Sequence, residues 1–557
     1  MSSEEFFNLI TDPWIPVRRK SGVTTVIKPS EIVSQLESDP IVAFDWPRPD
    51  FRVASYEFMI GLLATAFPPE DKRDWAKIWR HPPSENELSA AFEKIQDAFY
   101  LDRPEKCFLQ DYDELKSAYE PVERLLINAP GEKTVKDNKD LFVHRGQFDS
   151  MSLPTAAIAL FTLQSWSPFG GAGNRTGLRG GGPMITLVFP YRDAPLWQVL
   201  WANTPCGYPA DEEDMPKIFP WLVPTITSEK SNKTLYPSDD DVDIRQCWWG
   251  MPRRIRLRFA KETSQNSSGN GESTETRVTG WQQRPHGPNY TSWTGEQYSE
   301  TDAPVFVHPL TPRYRTKIGG EWLSLHPQPG GVDYRHWAQL VVTTDDNQLR
   351  SSASNVSNWR GWQARQIGLV ERDQLRTRLL VAGYDMDGKK ARNFLESEMP
   401  IPGATDPAMQ RVQEKFACSC IEGALLVINV LQNTVRDSQG ANDVSLNSLL
   451  LTKTVQEFVH KTENVFFDLI TKILDDKDNS KLYEKWRRVM EISALECFDN
   501  AVPLMPETQL QLAQRIVLNR RRLGALVSCR GSKEGSKLAK ILNIPVPSAS
   551  KKEKKHD

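Results

Sequence analysis

The sequence predicts an α+β fold, in which a large irregular mixed α/β N-terminal domain is followed by a C-terminal four-helix bundle. Residues 1–400 are rich in Pro, Trp and Gly and carry only short apolar stretches of mixed periodicity. Residues 401–545 instead repeat apolar positions with the 3.6-residue period of helices. A length of 557 residues, with 39% hydrophobic and 25% charged residues, is typical of a globular protein of about two to four domains.

A few segments of the N-terminal domain have a clear period. Residues 58–66 predict a buried helix, and residues 184–189 predict a strand. Residues 253–259 alternate arginine with apolar residues, so three arginines would share one face of a strand, which either binds phosphate or faces solvent. Two polar stretches, 228–243 and 261–277, predict flexible insertions, and the second contains no apolar residue.

The C-terminal domain shows four amphipathic stretches joined by short polar loops. The clearest has apolar residues at i, i+3 and i+4 spacing at Val455, Phe458, Val459, Phe466, Leu469, Ile470 and Ile473. Similar stretches run approximately through 407–435, 480–501 and 507–527. Four such helices with short connections predict an antiparallel four-helix bundle, and the lysine-rich residues 546–557 predict a disordered tail.

Charge and cysteine content limit the class of protein. The formal net charge of −3 gives no global positive field, so any nucleic-acid contact has to be local or shared with more basic partners. The seven cysteines are scattered and include no C-x-x-C pair, which predicts neither disulfides nor zinc. The N-terminus lacks a basic signal region and no apolar stretch approaches the roughly 20 residues that span a bilayer, so we expect a cytoplasmic protein without membrane contact.

The segment 167–183, SPFGGAGNRTGLRGGGP, is the most unusual in the chain, with seven glycines, two arginines and no acidic residue. Glycine lets a ligand approach the backbone without a Cβ in the way. Exposed N–H groups beside Arg175 and Arg179 favour a polyanion or a base-pair edge, and a multi-turn surface loop is the alternative. A P-loop would need Gly-Lys-Ser/Thr, and a dinucleotide fingerprint would need glycine where Thr176 stands.

Arrangements of catalytic residues are not evident in the sequence. The eight histidines form no H-x-H or H-E-x-x-H cluster, and there is no G-x-S-x-G nucleophile elbow. Acidic runs such as 239–243 lie in loop-like surroundings, where a solvated surface is the default interpretation. Because a metal nuclease needs several hard ligands held rigidly around its ion, we expect a protein that is not an enzyme and that needs no cofactor or metal.

Motifs spread in order along nearly the whole chain carry a family resemblance. They are FNLITDPWIPVR (7–18), FLQ (108–110), RLL (124–126), FV (142–143), TAAIAL (155–160), GLRGG (177–181), VHPLTP (307–312) and GYDMDGKKAR (383–392). In these motifs the chain resembles the CasA-type large subunit of type I-E CRISPR Cascade, a bacterial RNA-guided surveillance complex. The predicted helical bundle lies where that family has its own four-helix bundle.

This resemblance implies a non-catalytic subunit. It would recognise the protospacer-adjacent motif (PAM) in double-stranded DNA, promote duplex opening and R-loop formation, and provide a platform for the nuclease. Its implied partners are crRNA, double-stranded target DNA, the backbone, handle-binding and small Cascade subunits, and a recruited helicase-nuclease. Guide pairing then reads the target sequence while protein reads a short motif, a logic described for a different RNA-guided effector class.

The resemblance also implies site residues by position. The minor-groove glycine loop would be Gly170, Gly171, Ala172 and Gly173, with Arg175 beside it. The crRNA-handle loop would contain Phe142, Val143, His144 and Arg145, with a core position as the alternative interpretation of Phe142. The family's basic minor-groove finger has no lysine here, which leaves Arg284 and Asn289 as candidates. The duplex-opening hairpin tip would be Asp387, Gly388, Lys389 and Lys390, without the glutamine that some members place there.

The sequence itself suggests three further candidate DNA contacts and two alternative functions. Arg520, Arg521 and Arg522 span about 200° of the last predicted bundle helix, so they either hold a DNA strand or form a solvated face. A cryptic nuclease would cleave DNA as an isolated chain with metal. A structural scaffold would bridge subunits without reading DNA, but it has no use for the accessible backbone of the glycine segment.

Overall fold

The computed structural model describes the chain in two compact units. The first unit comprises Met1–Pro329, Thr343–Leu369 and Thr377–Glu398, and the second comprises Gly330–Val342, Val370–Arg376 and Met399–Asp557. The described residues are 5–129, 136, 146–168, 170, 173–229, 234–265, 272–293, 306–328, 330–342, 349–369, 377–387, 390–403, 406–439, 444–474, 479–505, 508–530 and 532–545. The predicted α+β class with a C-terminal helical region is confirmed.

Helices occur in both units. In chain order they are α1 (Pro49–Ala66), α2 (Lys72–Arg80), α3 (Glu85–Glu93), α4 (Leu153–Trp166), α5 (Leu196–Asn203), α6 (Met215–Ile218), α7 (Trp337–Val341), α8 (Ser354–Asn358), α9 (Ala364–Gln366), α10 (Pro407–Gln439), α11 (Val444–Lys472), α12 (Asn479–Ala501), α13 (Leu510–Val527) and α14 (Lys533–Ile541). A π-helical turn, Trp359–Gln363, joins α8 to α9. Helices α7 and α10 to α14 belong to the second unit.

The strands form small sheets. They are β1 (Ile15–Arg19), β2 (Thr24–Ile27), β3 (Ile41–Phe44), β4 (Met151–Ser152), β5 (Ile185–Phe189), β6 (Thr234–Leu235), β7 (Arg254–Gln265), β8 (Glu272–Arg284), β9 (Asn289–Tyr290), β10 (Arg313–Tyr314), β11 (Leu323–Ser324), β12 (Arg350–Ser351), β13 (Arg378–Asp387) and β14 (Lys390–Pro400). The sheet orders are β2-β1-β3, β11-β10-β12, β14-β13-β5, β4-β8-β7 and the parallel pair β6-β9.

The core of the first unit is built on α1 and α4. Both helices are apolar around nearly their whole circumference and are buried accordingly. At the centre, Phe58 makes edge contacts with five other aromatic rings at centroid distances between 5.2 and 6.1 Å. The helix predicted at 58–66 is therefore the second half of α1, and the strand predicted at 184–189 is β5.

The described residues of the stretch 261–277 form strands where the sequence predicted a flexible insertion. Residues 261–265 continue β7, and residues 272–277 begin β8, in register from the Arg254–Arg284 pair to the Gln265–Glu272 pair. Residues 234–235, within the other predicted insertion, pair with β9. For these paired residues the prediction of a flexible insertion was wrong, because ladder hydrogen bonds come from the backbone, which a polar side-chain pattern does not reveal.

The alternating arginines of β7 are held by the protein itself. Arg254 is buried and its Nε lies 2.6 Å from Oδ2 of Asp111. Arg256 donates to the backbone oxygens of Asp111 and Pro104, and Arg258 lies over the ring of Tyr119. Of the two predicted alternatives, a phosphate site or a solvated face, neither describes Arg254, whereas Arg258 is exposed to solvent.

The second unit is a helical bundle with additions. Helices α10, α12 and α13 lie within a few residues of three predicted stretches, and α14 follows them. Helix α11 begins at Val444, well before Val455, the first apolar residue of the fourth predicted stretch. Trp486 of α12 is fully buried and donates from Nε1 to the Cys420 oxygen of α10 at 3.0 Å. By length and composition α10 is apolar enough to cross a membrane, but 56% of its most apolar window is buried inside the protein, as in the core helix of a bundle.

Candidate nucleic-acid interface

The predicted site residues divide into those that the structure describes and those that it does not. Phe142, Val143, His144, Arg145, Gly171, Ala172, Gly388 and Lys389 lie outside the described residues, as does the tail 546–557. Their assignments stay predictions. Asp387 ends β13 and Lys390 begins β14, so both flank the predicted hairpin tip.

Two described glycines of the segment after α4 have no room for a side chain. Gly173 has a φ of +82°, and a Cβ there would lie 2.7 Å from the ring of His286. A Cβ on Gly170 would lie 2.6 Å from the Cβ of Asn174 and 3.3 Å from Nη2 of Arg253. Close packing of the backbone, rather than composition alone, therefore requires glycine at these positions.

The loop that follows β8 packs on this glycine segment. The His286 N–H donates to the Gly173 oxygen at 2.8 Å, and Gln283 Nε2 donates to Asn174 Oδ1 at 2.7 Å. Arg175 donates from Nε to Ser228 Oγ at 3.1 Å. The fold thus brings the predicted glycine loop beside the region of the predicted finger, more than 100 residues later in the chain.

The two finger candidates differ in what surrounds them. Arg284 ends β8, is exposed and has no carboxylate within 4 Å among the described residues. Asn289 is half-buried in β9, where its Nδ2 donates to Thr234 Oγ1 at 3.2 Å. We therefore retain Arg284 as a candidate DNA contact, whereas Asn289 holds the β6–β9 pair.

An open cleft of about 580 Å³ separates the glycine segment from residues 117–129. Its lining includes Gly170, Asn174, Arg124, Arg253, Arg284 and Glu120. Other clefts of the first unit have volumes of about 600 and 680 Å³, so size does not distinguish this one. Its charge does distinguish it, because three arginines and one glutamate in the lining attract an anion.

Arg253 is the functional candidate that sequence reasoning missed. Its side chain is buried, donates from Nε to Ser167 Oγ at 3.0 Å and from Nη2 to the Pro168 oxygen at 2.6 Å. Burial lowers the pKa of its guanidinium to about 10, and no described carboxylate lies within 4 Å of it. The sequence showed it only as the first of four arginines in an alternating stretch, without a signal that set it apart.

Arg179 does not lie beside an anion site as predicted. It is buried, its Nη2 lies 2.5 Å from Oε1 of Glu57, and its Nη1 donates to Thr311 Oγ1 at 3.1 Å. The imidazole of His308 lies 4.0 Å from the same carboxylate. Burial raises the pKa of Glu57, and burial together with Arg179 lowers the pKa of His308. Arg179 therefore anchors the end of the glycine segment in the core.

The end of β13 next to the predicted hairpin tip also packs on the glycine segment. A Cβ on Gly182, whose φ is +65°, would lie 2.5 Å from Cε of Met386. Arg392 pairs with Asp385 across the hairpin at 2.9 Å. The predicted duplex-opening element and the predicted groove-contacting element are thus neighbours in the first unit.

On the bundle, the three consecutive arginines of α13 are exposed but not equivalent. Arg520 pairs with Asp499 at 2.7 Å, and Arg522 pairs with Glu534 at 2.9 Å. Arg521 has no carboxylate within 4 Å in the described part of the chain. Only Arg521 therefore offers its full charge to a DNA strand without breaking an existing ion pair.

The described residues contain no group of three or more His, Cys, Asp or Glu side chains that could hold a metal ion. The arrangement in the first unit is instead a cationic cleft next to tightly packed glycines. Such a surface can bind a polyanion and approach a groove.

Comparisons with known proteins agree with this fold. The family model of the CRISPR-associated protein Cse1 matches residues 8–497. CasA/Cse1 of Thermus thermophilus is 27% identical over 226 residues, which span 36% of this chain and 43% of that relative. The crystal structure of CasA from the same organism has a TM-score of 0.66 at 17% identity, covering 94% of this chain and 100% of that chain. Thermobifida fusca Cse1 gives 0.67 at 14% identity, with coverages of 97% and 98%. Since the family model spans most of the chain, the protein belongs to the Cse1 (CasA) family of CRISPR-associated proteins, as the sequence motifs predicted.

Proposed function

We propose that the chain is the non-catalytic large subunit of a cytoplasmic type I-E CRISPR surveillance complex and that it recognises the PAM in double-stranded DNA. Family membership supports the place in such a complex, and a chain of a CRISPR RNA-guided surveillance complex shares the fold with a TM-score of 0.62. The observation that carries DNA recognition is the meeting of the glycine segment with Arg284 and Arg253 around one open cleft.

The glycine segment suits a minor-groove contact. Because Gly170 and Gly173 lack side chains, the segment folds tightly on its neighbours, and exposed Gly170 leaves the rim of the cleft open to a base-pair edge. The minor groove mainly distinguishes A·T from G·C pairs, which is enough for a short and tolerant motif. Arg284, exposed at the end of β8, supplies the positive charge that the narrow groove attracts.

The β13–β14 hairpin is the proposed duplex-opening element. Met386, next to its tip, packs against Gly182, and the proposal therefore assigns the tip to the same DNA-facing surface as the glycine segment. A group inserted between base pairs costs a few kcal/mol of stacking, which further contacts offset. Guide crRNA, the other Cascade subunits and a recruited helicase-nuclease complete the proposed assembly, for which this chain is a platform.

A test uses the assembled complex and a library of duplexes with every possible PAM beside one matched target. We expect wild-type complex to bind a small subset of PAMs and the Gly170→Asp complex to bind that subset at least about tenfold more weakly, or about 1.4 kcal/mol. Gly207→Asp is the matched control. A Cβ at position 207 would lie no closer than 3.8 Å to another residue, and Gly207 is outside the glycine segment. Unchanged affinity of an intact Gly170→Asp complex would contradict the proposal.

A further inference from the structure

We infer that the arginine-lined cleft seats one backbone phosphate of the DNA duplex and that the Arg253 guanidinium forms the base of this seat. The inference rests on the proposed DNA contact and deepens it, since it names the group of the ligand that the cleft binds. Motif readout by the glycine segment and phosphate binding by the cleft are separate contacts, and each can fail alone.

Arg253 carries a buried charge that its neighbours offset only in part. Its donors reach Ser167 Oγ and the Pro168 oxygen, just beyond the last residue of α4. The C-terminal end of a helix carries roughly half a negative charge, which leaves the guanidinium undercompensated. Since no described carboxylate lies within 4 Å, an anion in the cleft is the partner that the site lacks.

The backbone around Arg253 is fixed before any ligand arrives. Gln164 of α4 accepts from the Arg253 N–H at 3.1 Å and donates to its carbonyl oxygen at 2.9 Å. The side chain is held by the two contacts already described. A charged donor fixed on both sides loses little conformational entropy on binding, which favours a tight phosphate contact.

Gly170 keeps the guanidinium accessible from the cleft. A side chain at this position would begin 3.3 Å from Nη2 of Arg253 and would cover it. Arg284 and Arg124 line the same cleft, and Arg124 forms an ion pair with Glu120, the acidic residue of the lining. The Glu120 charge is therefore neutralised locally, while the charges of Arg253 and Arg284 remain for an anion.

The volume of the cleft favours a phosphate of a polymer over a small free anion. A volume of about 580 Å³, open to solvent, exceeds what a single phosphate ion fills. Arg284 is exposed and Arg253 is buried in the same cleft. A nucleic-acid backbone that passes the cleft could therefore contact Arg284 with one phosphate and Arg253 with another. Inorganic phosphate should consequently compete only weakly.

The experiment combines a protein substitution with neutral methylphosphonates placed one at a time in the PAM-side duplex. For wild-type complex, we expect one or two adjacent positions to lower DNA affinity about tenfold. For the Arg253→Met complex, we expect about tenfold weaker binding of unmodified DNA, a salt slope reduced by about 0.9, and no further loss at those positions. Arg258→Met is the control, since Arg258 is exposed on the same strand and lies over Tyr119.

Several outcomes would overturn the inference. One is that no methylphosphonate position is coupled to Arg253; another is that the coupled phosphate belongs to the crRNA. If Arg253→Met prevents assembly, Arg253→Lys replaces it, and a seat for phosphate predicts that this variant keeps the salt slope. If Arg253→Met leaves DNA affinity unchanged while Gly170→Asp lowers it, only the phosphate seat is contradicted. If neither substitution changes DNA affinity, DNA recognition by this surface is contradicted as well.

Discussion

Gly173 shows at the scale of a single residue why the glycine segment cannot vary freely. Its φ of +82° strains any residue with a Cβ, and the His286 ring would lie 2.7 Å from that Cβ. We expect Gly173→Ala to lower the free energy of unfolding by about 1–3 kcal/mol from backbone strain, and by more from the contact with His286. We expect both the thermal melting temperature and the affinity for PAM-containing duplex to decrease.

Gly22→Ala is the matched control for this change. Gly22 has a φ of +90°, and no atom lies within 4 Å of the place that a Cβ would occupy, so it reports backbone strain alone. The excess loss at Gly173 should shrink when His286 is also replaced by alanine. Equal losses at the two glycines would show that the His286 contact carries no cost.

His308 predicts a pH dependence of stability. Burial, with Arg179 as a lesser cause, lowers its pKa well below the ordinary value of 6.5, so it is neutral in the folded protein. The unfolded chain takes up a proton below that ordinary value. Stability is therefore complete above about pH 6.5 and falls as pH decreases, by up to about 1.4 kcal/mol per pH unit.

Denaturant unfolding between pH 7 and pH 5 measures this dependence. His308→Gln should make the first unit's stability fall less steeply over this range, while His81→Gln, at an exposed position, should not change the slope. Glu57 has a raised pKa and contributes a slope of opposite sign, which cancels in the comparison between variants if its pKa is unchanged. Identical slopes for wild type and His308→Gln would contradict the assignment.

The sequence could indicate the role of a single residue only where that role depends on the residue itself and not on distant partners. It predicted that glycine at 170 and 173 matters, because glycine has a conformational meaning of its own. It could not distinguish Arg175, Arg179 and Arg253, since their roles depend on partners far away in sequence. The Arg179–Glu57 pair joins positions 122 residues apart, and composition holds no trace of that contact.

Elements were predictable where one face is apolar. The helices of the bundle follow their 3.6-residue period because burial of that face fixes their position. Strands β7 and β8 extend into a polar stretch that lacks such a period, so the same reasoning predicted an insertion. Periodicity reports burial, and an element formed by backbone pairing alone is invisible to it.

Helix α13 yields a prediction about its arginines. If this surface holds a DNA strand, Arg521→Gln should reduce the salt slope of DNA binding by about 0.9, the value for one lost phosphate contact. Arg520→Gln should change it less, because Arg520 already pairs with Asp499. Salt titration of binding by the assembled complex measures both. Equal slopes for wild type and Arg521→Gln would identify a solvated face.

The β13–β14 hairpin yields a second prediction at this scale. Gly388 has no side chain, so the predicted wedge role passes to Lys389, Lys390 or Met386, of which Met386 already packs on Gly182. We expect Lys389→Ala to slow R-loop formation on fully paired DNA and to have little effect when the duplex is already melted beside the PAM. Stopped-flow fluorescence of both substrates distinguishes wedge from anchor: equal defects mean that Lys389 only holds backbone, and no defect removes the hairpin from the mechanism.

For the whole molecule, the two compact units can be followed through their thiols. All seven cysteines lie in described segments and none forms a disulfide; five are buried, and Cys206 and Cys418 are exposed. We expect two thiols to react rapidly in native protein and the other five only after unfolding, because burial excludes the reagent and raises the pKa of these thiols.

Mass spectrometry during denaturant titration assigns each labelled cysteine. Cys107 and Cys247 report the first unit, and Cys420, Cys497 and Cys529 report the second. Rapid native labelling of any buried cysteine would contradict this packing. Fold class and family were predictable at this scale because motifs along nearly the whole chain agree in order, whereas the membership of 330–342 in the second unit depends on tertiary contacts.

The buried pair between Glu57 and Arg179 also sets an order of events during synthesis. Glu57 leaves the ribosome first, Arg179 follows, and Thr311, which accepts a hydrogen bond from Arg179, comes later still. Contacts between distant positions form late because the long intervening loop has to close. A nascent chain that ends before residue 311 therefore carries the glycine segment without its complete anchor. The proposed DNA-facing surface is therefore finished only after more than half of the polypeptide exists, which would leave an incomplete chain little opportunity to occupy target DNA.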